Sequence, residues 1–167
     1  MCAPKGSGFL HVRPEHQERI DGMIVSWGYE APADFISRTE LQGTRDAAAY
    51  LTVPDAIAFQ RERAWDDVQA RCRALTLEAR SELCALLGTE PIAPAEMLLQ
   101  MASVRLPHAD VGLELRLFDE HRIEIPVMGD LLRISIAAYT TREDVDRLLD
   151  ALPRVLSPRA GASPRAR

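Results

Sequence analysis

Few residues in this chain have the type and spacing for chemistry, and the most conspicuous is an arginine. Arg133 interrupts Leu131, Leu132, Ile134, Ile136, Ala137 and Ala138, an otherwise apolar, strand-forming run. A guanidinium among apolar neighbours must find acceptors, because burying it alone costs several kcal/mol or more. Two readings follow. Arg133 either forms an internal ion pair or reaches solvent at a sheet edge, or its planar fork grips a ligand carboxylate through two parallel hydrogen bonds. Spacing does not choose between them. A second place is Gly43-Thr44-Arg45-Asp46, ahead of an alanine-rich helical segment that runs through Leu51. Thr44 or Asp46 caps that helix, and a helix start with a free hydroxyl and backbone amides suits an anion. Most strings of this kind are ordinary helix starts. His11, His16, His108 and His121 show no metal-ligand spacing among themselves or with Cys2, Cys72 and Cys84, and neither a Gly-x-Ser-x-Gly elbow nor a phosphate loop is present. No catalytic residue and no metal ligand is therefore expected.

The clearest positioning element is the stretch around Arg133. After the Leu131 to Ala138 strand, Thr140 followed three residues later by Glu143 reads as a capping box, with Asp144 favoured by the helix dipole. Val145, Leu148, Leu149 and Leu152 then recur at helical spacing, and Pro153 is expected to end that helix. Ile123 to Val127 reads as a strand joined to the Arg133 strand through Met128-Gly129-Asp130, an antiparallel hairpin with an irregular loop. Upstream, Trp65, Val68, Cys72, Leu75, Ala79, Leu83 and Leu86 mark a long amphipathic helix over Ala64 to Leu87, stopped by Gly88, with both cysteines as small core or boundary residues. Pro91 and Pro94 place a loop, Met97 to Leu106 a strand, and Asp110 a cap for a helix through Phe118.

The first sixty residues read less clearly. Phe9, Leu10 and Val12 begin a short strand that stops at Pro14, Glu15 to Ile20 is a brief turn of helix, and Met23 to Trp27 is a second apolar run. Gly28 to Pro32 is a loop, Asp34 to Gln42 has no clear periodicity, and Pro54 opens a helix through Arg63. From Ala64 onward the order is helix, strand, helix, strand, strand, helix: a small two-layer α/β domain with a mostly antiparallel sheet.

Totals bound the rest. The chain has 167 residues, 47% hydrophobic and 27% charged, with net charge −5, so it is globular and acidic. No basic run interleaved with aromatics suggests nucleic acid, no apolar run approaches about 20 residues, and no signal-peptide core opens the chain. Three dispersed cysteines form no disulfide framework and point to a reducing cytoplasm.

With Cys2-Ala3-Pro4-Lys5-Gly6-Ser7-Gly8, Gly43-Thr44 and Leu132-Arg133-Ile134-Ser135 in view, residues 1 to 156 resemble the C-terminal part of a class V aminotransferase-fold enzyme, most closely the isopenicillin N epimerase-like proteins. The resemblance implies a pyridoxal 5′-phosphate (PLP) enzyme of fold type I, acting on an amino acid as a homodimer. It divides the chain into 1–63, a remnant of the PLP-binding large domain with an interdomain helix; 64–156, the small α/β domain; and 157–167, a disordered tail. It assigns Gly43 and Thr44 to the cofactor, Thr44 reaching the phosphate of the partner subunit, and Arg133 to the substrate α-carboxylate, which tips the choice left open above. The lysine that bonds PLP covalently falls ahead of residue 1, and Lys5, downstream of it in the alignment, does not inherit the role. Taken alone, the chain is expected to be catalytically inert. Leu41 stands where relatives often carry an aromatic, and Thr140 after Tyr139 where Asn is common. The reaction type, epimerase, desulfurase, lyase or transaminase, stays open, and the competing reading is a non-catalytic α/β interaction module or the product of a truncated reading frame.

Overall fold

The computed structural model describes residues 2–30 and 34–156. The tail expected from Ser157 lies outside the described residues, as does part of the loop expected up to Pro32. The chain forms two compact units that meet in sequence between Arg63 and Ala64.

The first unit contains α1 (Pro14–Gln17), a 3-10 turn (Trp27–Tyr29), α2 (Phe35–Glu40), α3 (Ala48–Leu51) and α4 (Val53–Glu62). Neither the strand expected from Phe9 nor a strand at Met23 to Trp27 forms. A strand is stable only when a neighbour satisfies its backbone groups, and no described residue of this unit offers a ladder. Phe9, Met23 and Val25 accordingly stand in solvent, and Pro14 opens α1 instead of closing a strand. The aperiodic stretch after Asp34 is a helix, made definite by its cap: Asp34 accepts a hydrogen bond from the Ser37 amide at 2.7 Å. Gly28 is required where the 3-10 turn meets α2, since a Cβ there would lie 1.9 Å from the Ser37 carbonyl oxygen.

In the second unit, α5 (Trp65–Leu87) runs from Ala64 to Gly88, which ends it in the left-handed conformation. Its inner face carries Cys72, Thr76, Ala79, Leu83 and Cys84. Thr76 is tolerated there because its hydroxyl donates to the Cys72 carbonyl at 2.8 Å. Leu86, expected on the same stripe, is largely exposed. The chain continues through a 3-10 turn (Ala95–Met97) into β1 (Met101–Arg105), then α6 (Leu113–His121), β2 (Val127–Met128), β3 (Leu131–Ser135) and α7 (Arg142–Leu156). Among the described residues the sheet has three antiparallel strands in the order β1-β3-β2, backed on one face by helices. The mixed α/β class with an antiparallel sheet is as the sequence indicates.

Boundaries differ for identifiable reasons. The strand expected from Met97 starts at Met101, because Arg73 on α5 takes the carbonyls of Leu98 (2.9 Å) and Ala95 (3.1 Å) while Arg80 takes that of Ala93 (2.7 Å), holding the proline-rich loop out of the sheet. Asp110 does not cap α6; its carboxylate pairs with Arg116 at 2.5 Å, and the helix runs from Leu113 to His121, past the expected end at Phe118. The strand expected over Ile123 to Val127 shrinks to β2, and the antiparallel hairpin closes through Gly129-Asp130 rather than an irregular loop, Val127 facing Leu132 and Met128 facing Leu131. Gly129 supplies the positive φ of +64° that starts this two-residue turn. The helix start also shifts by one residue: Asp144 accepts from both the amide and the hydroxyl of Thr141 (3.0 and 3.2 Å), while the Thr140 hydroxyl accepts from the Ala137 amide at 3.0 Å. Pro153 does not end α7, because one more turn buries Val155 against the core.

Arg142 ties α7 to α5 through a two-pronged contact with Glu82 (2.7 and 2.6 Å) and also reaches Asp146. The Arg142 hydrogen bonds hold the Glu82 carboxyl below its ordinary range. A depressed carboxylate stabilises the fold above the unfolded pKa of about 4.3 and stops doing so as pH falls through its lowered folded value. Glu82→Gln should therefore lower the denaturation midpoint modestly near neutral pH, the pair being open to water. The gap to the unaltered protein should narrow progressively as pH falls from neutral into the acid range. Urea titrations across that range test this, and a gap that widens in acid contradicts it.

Candidate functional site

The alternation of β3 decides where Arg133 points. Leu132 and Ile134 face the core opposite Val104 and Ala102, so Arg133, between them, faces outward opposite Ser103. Its amide donates to the Pro126 carbonyl at 3.0 Å. Its guanidinium has no hydrogen-bond or ion-pair partner among the described residues, so the internal ion pair is not formed.

Beside Arg133 lies a cleft of about 580 Å³. It exists because the segment after α6 reaches β3 only at Pro126 to Met128 and diverges before that. Arg122, Glu124, Ser135, Tyr139 and Arg147 form its polar rim with Arg133, and Val145 and Leu148 supply an apolar floor. Asp144, also in the lining, is occupied by Thr141 and by Arg147 at 3.7 Å. A polar rim with an unpaired guanidinium over an apolar floor suits a small anionic ligand with a hydrocarbon portion. Ser135 is the residue that strand alternation alone would have found, two positions from Arg133 on the same face. Arg122 and Arg147 come from elements whose packing no spacing rule reveals.

Gly43 and Thr44 lie together in the loop between α2 and α3, in the unit that does not contain Arg133. Gly43 has φ +106° with open space where a Cβ would be, and Thr44 is exposed with no hydrogen-bond partner among the described residues. The helix start sits later than the sequence suggests. It is Asp46 that accepts from the Ala48 amide, at 2.8 Å, and α3 is a single turn, so Thr44 offers a hydroxyl without helix amides behind it. Arg45 is folded back on Gln42 and the Tyr50 ring. Cys72 and Cys84 are buried and Cys2 is exposed, all as free thiols. Among the described residues no three His, Cys, Asp or Glu side chains are placed to share a metal ion, and no helix is long and apolar enough to cross a membrane.

No family model matches the chain. Two curated proteins do. The isopenicillin N epimerase of Streptomyces clavuligerus is 37% identical over 174 residues, and that of Amycolatopsis lactamdurans 37% over 173, each match covering 91% of this chain and 44% of the relative. Among solved structures, a NifS-like protein superposes with a TM-score of 0.63 over 83% of this chain and 39% of its own, at 22% identity. In fold the chain matches part of that NifS-like protein. It spans less than half the length of the curated relatives it matches.

Within this fold, the opposed faces of β3 separate support from chemistry. Leu132→Ala removes a fully buried side chain and should cost about 2–5 kcal/mol of stability. Arg133→Ala, one residue on, should stay within about 0.5 kcal/mol. Equilibrium denaturation of the two variants checks the contrast, and a large loss for Arg133→Ala would restore the structural reading of that arginine.

Proposed function

We propose that the chain is the C-terminal part of a PLP-dependent class V enzyme acting on an amino acid, with Arg133 holding the substrate α-carboxylate and Thr44, next to Gly43, the cofactor phosphate across a homodimer interface. The observation that carries this reading is the unpaired guanidinium of Arg133, fixed on a strand at the mouth of a cleft with an apolar floor. A rigid strand sets the direction of the guanidinium fork, and a carboxylate placed on it is oriented by two charge-assisted hydrogen bonds. The residues present fit the cofactor in kind: Thr44 has a free hydroxyl beside a glycine that leaves room for close approach. Bound PLP supplies the electron sink that allows a bond at the amino-acid α-carbon to break. Arg133 binds and orients; the Val145 and Leu148 floor excludes water from the hydrocarbon part of the ligand. Similarity to isopenicillin N epimerases favours proton removal and return at the α-carbon among the reactions this fold supports.

On this reading the lysine that bonds PLP is supplied by sequence ahead of residue 1, and the chain alone is inert. The test is clean because Lys5 is the chain's only lysine. Incubation with PLP followed by borohydride should give only slow, partial labelling of Lys5 and the N-terminus, without amino-acid turnover. Stoichiometric labelling of Lys5 with turnover would sink the proposal.

In the enzyme completed by the upstream sequence, Arg133→Lys and Arg133→Ala should lower kcat/KM by about 30-fold to several-thousand-fold, the loss of roughly 2–5 kcal/mol of charged hydrogen bonding, with PLP retention little changed. Thr44→Ala should instead weaken PLP binding by about 1–2 kcal/mol and leave amino-acid saturation in place. Parallel measurement of PLP retention and substrate saturation separates the two, and matching profiles would contradict the assignment.

A further inference from the structure

The outer side of α6 carries an apolar face left uncovered among the described residues. Leu113 and Leu117 turn inward and are fully buried, whereas Leu115 and Phe118, one helical turn apart, are 62% and 45% exposed. These two line a groove of about 520 Å³ together with Gly112, Glu114 and Glu124. Two carboxylates thus flank the apolar pair, and no cation is in the lining. Glu124 has no hydrogen-bond or ion-pair partner among the described residues, and Glu114 accepts one long bond, 3.5 Å, from the Val127 amide. Arg122 sits over the Phe118 ring, 5.7 Å from its centroid, and leaves the ring half open. An apolar floor with an acidic rim fits a segment that brings compact apolar residues and positive charge.

Such a segment continues this chain. The α7 helix ends at Leu156, which lines a separate apolar hollow with Pro107 and His108, the residues that lead toward α6. Arg147, near the other end of α7, reaches the carbonyl of His121, the last residue of α6. The two helices therefore run antiparallel, and the chain leaves α7 beside the start of α6. From His108 to Gly112 the backbone spans at most about 14 Å, while residues 157–167 reach about 36 Å when extended. Their sequence repeats: Ser157-Pro158-Arg159-Ala160 returns as Ser163-Pro164-Arg165-Ala166, Arg167 follows, and no acidic side chain is present. Polyproline geometry has three residues per turn, so this repeat sets Pro158 and Pro164 along one side and Arg159 and Arg165 along the next. We propose that residues 157–167 dock in the outer groove of α6, prolines against Leu115 and Phe118 and arginines toward Glu114 and Glu124. Each solvent-open charge pair changes affinity by only about 1.5- to 5-fold. The tether offsets this weakness, because a segment joined through a short connection is present at an effective concentration on the order of mM.

NMR of the isotope-labelled full chain tests the proposal. The chain ended after Leu156, and the full chain carrying Arg159→Gln, Arg165→Gln and Arg167→Gln, should both move the amide resonances of Leu115, Phe118 and Glu124 in the same direction relative to the unaltered protein. In the triple variant the Ala160 and Ala162 amides should also show faster motion than in the unaltered chain. A synthetic peptide of residues 157–167, added to the shortened chain, should restore the α6 resonances with half-saturation on the order of mM, and its triple-glutamine version should bind at least about threefold more weakly. Resonances of α6 that ignore loss of the tail, changes confined to the last turn of α7, a peptide without effect, or an arginine-free peptide that binds equally well would each overturn the proposal. Shifts at α6 that vanish when the protein is diluted would assign the groove to a second copy of the chain instead.

Discussion

The register between β1 and β3 is the constraint on which the second unit depends. Ala102 faces Ile134 and Val104 faces Leu132, four buried side chains on one surface of the sheet. A slip of β3 by one residue would turn Leu132 and Ile134 to solvent and drive Arg133 into the apolar layer beneath. The ends of the pairing are pinned: the Leu106 amide donates to the Asp130 carbonyl at 2.7 Å, and the Ile136 amide to the Gln100 carbonyl at 2.8 Å. The Gln100 side chain returns a bond to the Ile136 carbonyl, and Arg105 pairs with Asp130 beside the turn. The position of the candidate ligand-binding arginine is thus a by-product of how the core is closed.

What the sequence reveals follows from how local the deciding interaction is. The α5 helix is legible because its stripe repeats over many turns and ends on Gly88; α7 is legible because four apolar residues recur on one face. The hairpin was readable from a turn string between two apolar runs. The strand expected from Phe9 does not form, because whether a short apolar run becomes a strand depends on a neighbour that local pattern does not contain. The α2 helix was missed because six residues are too few to show a period, although Asp34 three residues ahead of Ser37 carried the cap signal.

The site was half legible by the same logic. An arginine in an apolar strand announces itself, but whether it is paired, exposed or poised depends on parity within the strand and on what lies across the sheet. Parity was available from Leu132 and Ile134; the absence of a carboxylate opposite was not. Thr44 was tied to a helix start that in fact lies at Ala48, behind the N-cap Ala47, with Asp46 accepting from the Ala48 amide. Arg122 had no sequence signal, since the cleft it lines is made by chain divergence.

The loop between α5 and β1 is held by Arg73 and Arg80, and all three carbonyls they grip belong to the backbone. A main-chain carbonyl is present whatever side chain its residue carries. Evolutionary drift in this loop should therefore be wide in sequence and narrow in length, since an insertion would move the carbonyls off register while a substitution would not. The two helix positions carry the opposite burden: no other side chain offers the same fork of donors at the same reach, so the information that shapes the loop is stored outside it.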